Sequence, residues 1–311
     1  MKSKALFALC ALLCLFSNAG AQEGAPTPAV EELRALVAKT KEKIRQGANS
    51  AEALAPEIAE FDALAAKYPE KNETGGKIAM AKAGLFVIAL RDETKGRQLL
   101  EEVKANFPGT HAAENADRQL QLLTPEAKAK AAVAARQRQA DIERVAGKPA
   151  PELHFTWSSR EGLTNLSSLK GQVVVLDFWA TWCGPCINSF PQVREHVAHF
   201  KNSPVVFLGI TSLQGFVANL GPRIDTKGDP EREMSLMRQF MEKYQMTWDV
   251  VFSEEKVFNP DYGVQGIPHV VIIAPDGTIR HTGLHPGNLD SDIAGKIEAL
   301  LKEFKLPAPK A

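Results

Sequence analysis

Seven consecutive residues, Val173-Val174-Val175-Leu176-Asp177-Phe178-Trp179, are followed four positions later by Cys183-Gly184-Pro185-Cys186. An unbroken run of β-branched and aromatic residues is the pattern of a strand covered on both faces. Proline is tolerated in the first turn of a helix, where its missing N–H has no partner to lose. The segment therefore reads as strand, turn, helix, with two cysteines at the start of the helix. Residues i and i+3 share a helix side, within reach of a disulfide. The strand needs neighbours, and the sequence supplies them. Val205 to Ile210 is a second apolar run, and Glu231 to Met246 carries Met234, Met237, Phe240, Met241 and Tyr244 at helical spacing. Val270 to Ile273, then Pro275-Asp276-Gly277, then Thr278 to His281 reads as a hairpin. Asp290 to Phe304 is a closing amphipathic helix with Asn288 as its N-cap. Helices between strands and a terminal hairpin predict a mixed α/β sheet.

The first half of the chain is different. From Val30 to about Val145 it is Ala-rich and charged with few β-branched residues, which predicts helix throughout. Breaks are expected near Gln46-Gly47, Tyr68-Pro69, Arg91-Asp92, Phe107-Pro108-Gly109 and Thr124-Pro125, with Thr124 as an N-cap. Residues 22–30 read as a flexible leader, and Glu126 to Val145 as a long connecting helix. Tyr68-Pro69 and Phe107-Pro108 end helices 39 residues apart. Lys77 to Thr110 resembles one tetratricopeptide repeat, with Ala83-Gly84 opening its first helix, Gly96 at the small crossing position, Leu100 and Val103 inward and Pro108 closing it. Such units stack to bury their apolar faces and leave a groove for a protein partner; a plain helical bundle that spaces or dimerises the next domain is the other reading. Gly147-Lys148-Pro149-Ala150-Pro151 marks the change in composition, so residues 22–146 form the helical domain and 147–311 the α/β domain. A length of 311 residues suits two domains.

Lys2 and Lys4, the apolar stretch Ala5 to Phe16, and an A-x-A pattern ending at Ala21 read as a secretory signal over residues 1–21; twelve apolar residues are short for a membrane anchor. Its removal takes two of 37 basic residues and none of 37 acidic ones, leaving 35 against 37. No basic excess remains to favour nucleic acid. It also removes Cys10 and Cys14, so Cys183 and Cys186 are left alone in an oxidising compartment. A C-x-x-C pair closes too short a loop to be an effective staple. Beside a helix N-terminus the thiolate is stabilised, which makes Cys183 an exposed nucleophile and Cys186, one turn in, a buried resolving thiol. Half of a zinc site with His281 and His285 is the competing reading. The 94-residue gap from Cys186 to His281 sits poorly with the ~12–15 of compact fingers, so neither a metal nor another cofactor is expected.

The segment Val175 to Cys186 resembles the active-site segment of thioredoxins, and Tyr262-Gly263-Val264-Gln265-Gly266-Ile267-Pro268 their loop ending in a cis-proline. Gly147 to Pro151 and Leu169-Lys170-Gly171 resemble the TlpA/ResA-like branch of exported disulfide reductases. The resemblance spans about residues 147–305 and implies a thioredoxin-like α/β domain after the all-α, TPR-like one. Carried over residue by residue, it makes Cys183 the attacking and Cys186 the resolving cysteine. Pro268 would offer substrate a backbone edge, and Asp177 would be the buried acid that helps deprotonate the second cysteine. Trp182, Gly184, Pro185, Ile267 and His269 would border the substrate. His269 would either touch the disulfide and tune it or be a partly exposed packing residue. Two positions depart from the branch. Ser189 stands where many members carry Glu, and Asp177 where they often carry Asn; both make the site more like general thioredoxin and weaken a dedicated role in cytochrome c maturation. The stretch Ser212 to Pro230 is a candidate specificity loop or a plain surface insertion.

The implied activity is reduction of disulfides in exported proteins. Gly-Pro between the cysteines resembles reductants at roughly −270 mV more than oxidants near −120 mV. A membrane thiol-disulfide electron donor would then be a partner. Alternatives are an oxidase or isomerase on the same fold, and a redox-regulated binding module whose working part is the helical half.

Overall fold

The computed structural model describes residues 27–309. The expected signal segment and most of the leader lie outside these residues. Chain contacts divide the protein into two compact units, parted between Val133 and Ala134.

The first unit is helical: α1 (Pro28–Arg45), α2 (Ala55–Lys67), α3 (Glu73–Gly84), α4 (Glu93–Asn106) and α5 (His111–Leu122), followed by the start of α6 (Pro125–Val145). Each expected break is a helix end. The polar residues at the breaks cap the next helix: Asn72 accepts from Thr74 and Gly75 N–H, Asp92 from Lys95, Thr110 from Ala113 and Thr124 from Ala127. The first helix starts at Pro28 rather than Val30, because Pro suits the first helical turn. Ala83-Gly84 does not open a helix. It ends α3, which runs on as a π-helical turn, Leu85–Leu90, until Arg91 adopts a left-handed conformation at φ 55°. Gly96 does sit at a close crossing, since a Cβ there would lie 2.5 Å from Val87 Cγ2. Leu100 and Val103 are buried as expected. Two clusters fill the unit, one around Leu33, Leu54, Phe61 and Leu85, the other around Met80, Phe86, Leu100 and Val103.

The second unit is a six-stranded sheet. Its strands are β1 (Phe155–Ser158), β2 (Val173–Phe178), β3 (Val205–Thr211), β6 (Asp249–Ser253), β7 (His269–Ile273) and β8 (Ile279–Leu284), in the order β1-β6-β3-β2-β7-β8. β2, β3 and β6 run parallel; β1, β7 and β8 pair antiparallel with their neighbours. One face carries α7 (Gly184–His199), α8 (Pro230–Lys243) and α9 (Ile293–Glu303), packed through Phe190, Phe240 and Ile297 on Val175 and Trp179. The other face is covered by coil, two 3-10 turns and the end of α6, with Leu166, Tyr262, Val264 and Val145 on Val174, Leu176 and Phe178. β2 is thus buried on both faces, as its composition requires. Neither β1 nor β6 is among the strands expected above. The closing helix is capped by Asp292, whose side chain accepts from Gly295 N–H, not by Asn288, which caps the preceding 3-10 turn through Asp290 N–H. Ser212 to Asp229 is neither featureless nor loose. It folds into a two-stranded hairpin, β4 (Phe216–Val217) with β5 (Ile224–Asp225).

Candidate active site

β2 delivers Asp177, Phe178 and Trp179 to the end of the sheet, and the turn beyond it places Cys183 as the N-cap of α7. Cys183 Sγ accepts the Cys186 N–H at 3.2 Å, and Pro185 occupies the first turn. Cys183 and Cys186 are joined in a disulfide with Cα atoms 5.3 Å apart. Cys186 is fully buried. Cys183 was expected to be exposed, yet it is only 3% exposed in this oxidised state. Its N-cap position folds the side chain back over the helix end and into the same apolar cluster as Phe190 and Val193. The surface here is made by Trp182, Gly184 and Pro185. Ser189, also buried, donates to Cys186 O at 2.7 Å.

Asp177 pairs in register with Gly209 and Val270. Side chains alternate along a strand, so Asp177 points to the face of Val175 and Trp179, the face of both cysteines. Neither carboxylate oxygen has a hydrogen-bond partner, and burial pushes the pKa up to about 8. An isolated charge there would be poorly solvated, so the acid is held neutral at moderate pH. Gly209 faces it with no side chain, and a Cβ there would lie 2.9 Å from Trp179 Nε1 and 3.0 Å from Trp248 Nε1. Both indole N–H groups are buried without a hydrogen-bond partner.

The Ile267–Pro268 peptide is cis. Pro268 precedes β7, and Ile267 is half-buried against both core clusters. His269 follows the packing reading but lies deeper than expected. It pairs in register with Phe178 and packs edge-on to it, on the face opposite the cysteines. It is buried, not partly exposed. Gly283 N–H donates to its Nε2 at 3.1 Å, so that nitrogen carries no proton, and burial lowers the pKa to about 4. Thr282 Oγ1 lies 2.8 Å from the same nitrogen. His269 is therefore a packed histidine that supports the strand after Pro268. His281 falls in β8 and His285 just beyond it. Among the described residues no three His, Cys, Asp or Glu side chains gather as metal ligands.

Three contributors are not among the site residues expected above, although Gln214 falls in the candidate specificity loop. Thr181 is buried, accepting Ala218 N–H at Oγ1 and the Asn219 side-chain amide at its carbonyl. Gln214 Oε1 accepts the Trp182 indole N–H at 3.0 Å. Glu233, on α8 and 3% exposed, accepts from Gln214 N, Gly215 N and Thr226 Oγ1 at 2.7, 2.9 and 2.7 Å. All three are contacts between segments far apart in the chain.

The Redoxin family profile matches residues 145–297. Among curated proteins, the thiol-disulfide oxidoreductase ResA of Bacillus subtilis (strain 168) is 28% identical over 114 residues, covering 37% of this chain and 54% of that protein. The thioredoxin-like protein YneN of the same organism is 27% identical over 144 residues, 46% of this chain and 72% of that protein. The chain thus spans about half the length of the first of these relatives. Among solved structures, a putative thiol:disulfide interchange protein DsbE from Chlorobium tepidum aligns at 24% identity and a TM-score of 0.34, over 49% of this chain and 94% of that one. A thiol:disulfide interchange protein from Bacteroides sp. aligns at 19% and 0.38, over 49% and 90%. Family match, sheet order and the cysteine-bearing helix start agree: the C-terminal half of this chain is a redoxin domain of thioredoxin-like fold.

Proposed function

We propose that the chain is an exported thiol-disulfide oxidoreductase that reduces disulfides of extracytoplasmic proteins. The carrying observation is the Cys183–Cys186 pair, closed at the N-terminus of α7 on the sheet face that also holds the unpartnered carboxyl of Asp177. In the reduced protein the Cys183 thiolate, stabilised by the helix N-terminus, attacks one sulfur of a substrate disulfide. A Cys183–substrate mixed disulfide forms and one substrate thiolate leaves. Cys186 then gives up its proton and attacks Cys183 Sγ. The Cys183–Cys186 bond forms, the second substrate thiolate departs, and two electrons have passed to the substrate.

Asp177 is the proton acceptor for Cys186. The neutral acid must first ionise, which costs about 1.4 kcal/mol at pH 7 for a pKa of about 8; taking the proton of a thiol of ordinary pKa about 8.5 then costs under about 1 kcal/mol more, at 1.36 kcal/mol per unit. An unperturbed aspartate would require about 6 kcal/mol for the same step. Pro268 and Ile267 supply the backbone edge beside the disulfide, with Trp182, Gly184 and Pro185 as its exposed rim. Residues 1–21 direct export, and a membrane thiol-disulfide donor restores the dithiol. The helical half, residues 22–146, is a TPR-like platform for a protein partner, and 147–311 the catalytic domain.

The test is the reduction potential of the Cys183–Cys186 couple in the full chain against glutathione and dithiothreitol, with insulin-disulfide reduction alongside. A potential near thioredoxin's ~−270 mV, with turnover lost in Cys183→Ser, supports the reading. A potential well above ~−180 mV makes the protein an oxidase or isomerase, and turnover retained in Cys183→Ser removes the mechanism.

A further inference from the structure

Among the described residues of the second unit, three large apolar side chains are exposed: Trp182, Leu213 and Phe258. They come from three separate segments, the active-site turn, the insertion after β3 and the loop after β6, and hydrogen bonds link these segments to one another. The Trp182 and Phe258 rings stack at 6.3 Å between centroids and 30° between planes. Trp182 Nε1 donates to Gln214 Oε1, and the Gln214 amide turns back to Ser212 O and Oγ. Ser212 Oγ in turn accepts Val257 N–H at 3.1 Å, next to Phe258. Leu213 sits between the two residues that make these bonds.

The patch is held rigidly. Buried Glu233 binds the near end of the insertion through Gln214 N and Gly215 N, and the far end through Thr226 Oγ1. Ala218 and Asn219 fasten the hairpin to Thr181, the residue before Trp182. Clustered apolar groups kept in water by a fixed frame mark an interaction surface, and a prepared surface binds with less ordering cost. Trp182 adjoins Cys183, so a polypeptide joined to Cys183 Sγ has its neighbouring residues over this patch. Ser212, Gln214 and Thr181, which fasten the patch, are all neutral. A charged side chain laid on these three residues would lose water without meeting an opposite charge among them.

We propose that Leu213, Phe258 and Trp182, held by the Glu233-latched insertion, form a platform that reads an apolar residue flanking the cysteine of an extended polypeptide substrate. This rests on the dithiol-exchange reading above and names the substrate class it acts on.

The test is single-turnover oxidation of the dithiothreitol-reduced, desalted full chain by two synthetic disulfide-linked peptides, followed by tryptophan emission. One peptide has Leu and Phe beside its cysteine, the other Asp at both positions. In each turnover the protein dithiol becomes a disulfide and the peptide disulfide becomes two thiols, so no further reagent enters. Burying an apolar side chain against the patch is worth about tenfold in the second-order rate, so the wild type should favour the apolar peptide about tenfold or more. Leu213→Ser and Phe258→Ser should each cut that ratio, and the double variant should bring it close to one. Both sites are exposed, so emission from buried Trp179 and Trp248 verifies the fold. Equal wild-type rates, or an unchanged ratio in the double variant, overturn the platform while the exchange chemistry stands. A wild type oxidised by neither peptide overturns the exchange reading and the platform with it.

Discussion

Asp177→Asn is the perturbation whose effect follows most directly from the structure. In the folded protein the carboxyl titrates near 8, against an ordinary value of 3.8, and the cause is burial without partners. Below pH 3.8 the acid is protonated in both folded and unfolded chains and costs nothing. As pH rises through the window from 3.8 to 8, the unfolded chain releases its proton and the folded one keeps it, so stability falls with pH. At 1.36 kcal/mol per pH unit, the loss is about 1.5 kcal/mol at pH 5 and about 4 kcal/mol at pH 7, levelling off above pH 8. Asparagine is nearly the same size and does not ionise, so the variant should be more stable than the wild type by those amounts. All four tryptophans, Trp157, Trp179, Trp182 and Trp248, lie in the second unit. Urea unfolding of the oxidised full chain, followed by tryptophan emission, therefore reports this unit alone. A gain that is the same at pH 5 and pH 7, or no gain at all, would refute the neutral buried acid. Resolution of mixed disulfides should slow in the same variant, because the proton acceptor for Cys186 is gone.

Three further outcomes are expected. Cys186→Ser should accumulate mixed disulfides through Cys183, visible as reductant-sensitive bands on non-reducing gels; incubation with an oxidised protein substrate that leaves no adduct counts against the order of attack. His269 is held neutral with a pKa near 4, so its own contribution to stability falls by up to about 3 kcal/mol as pH drops from 6.5 to 4, opposing the gain from Asp177 over the same window. His269→Gln should therefore gain on the wild type as pH falls through that window, and parallel pH profiles in the two proteins would show that the ring is not buried neutral. Gly209→Ala would press a methyl against the Trp179 and Trp248 indoles, costing about 1–3 kcal/mol and shifting their emission; an unchanged spectrum and midpoint would mean the indoles pack elsewhere.

Much of this protein is legible in short stretches of its sequence, because the causes act over short stretches. Capping by Asn72, Asp92, Thr110 and Thr124 is a contact with a backbone N–H two or three residues on, and every expected helical break proved to be a helix end. The buried run of β2 and the helix start at Cys183 and Pro185 are likewise local. Tertiary structure decided the rest. His269 adjoins Pro268 in the chain, but register with Phe178 turns it to the face away from the cysteines. Cys183 is near the surface by position, but its N-cap geometry folds it inward. β1 and β6 are short strands joined to each other across about a hundred residues of chain. Glu233 reads as a surface acid on an amphipathic helix until an insertion closes over it with three donors. Periodicity and capping are set by neighbours a few residues apart, whereas the side a residue faces and the partners that satisfy it are set by segments that meet only when the chain has folded.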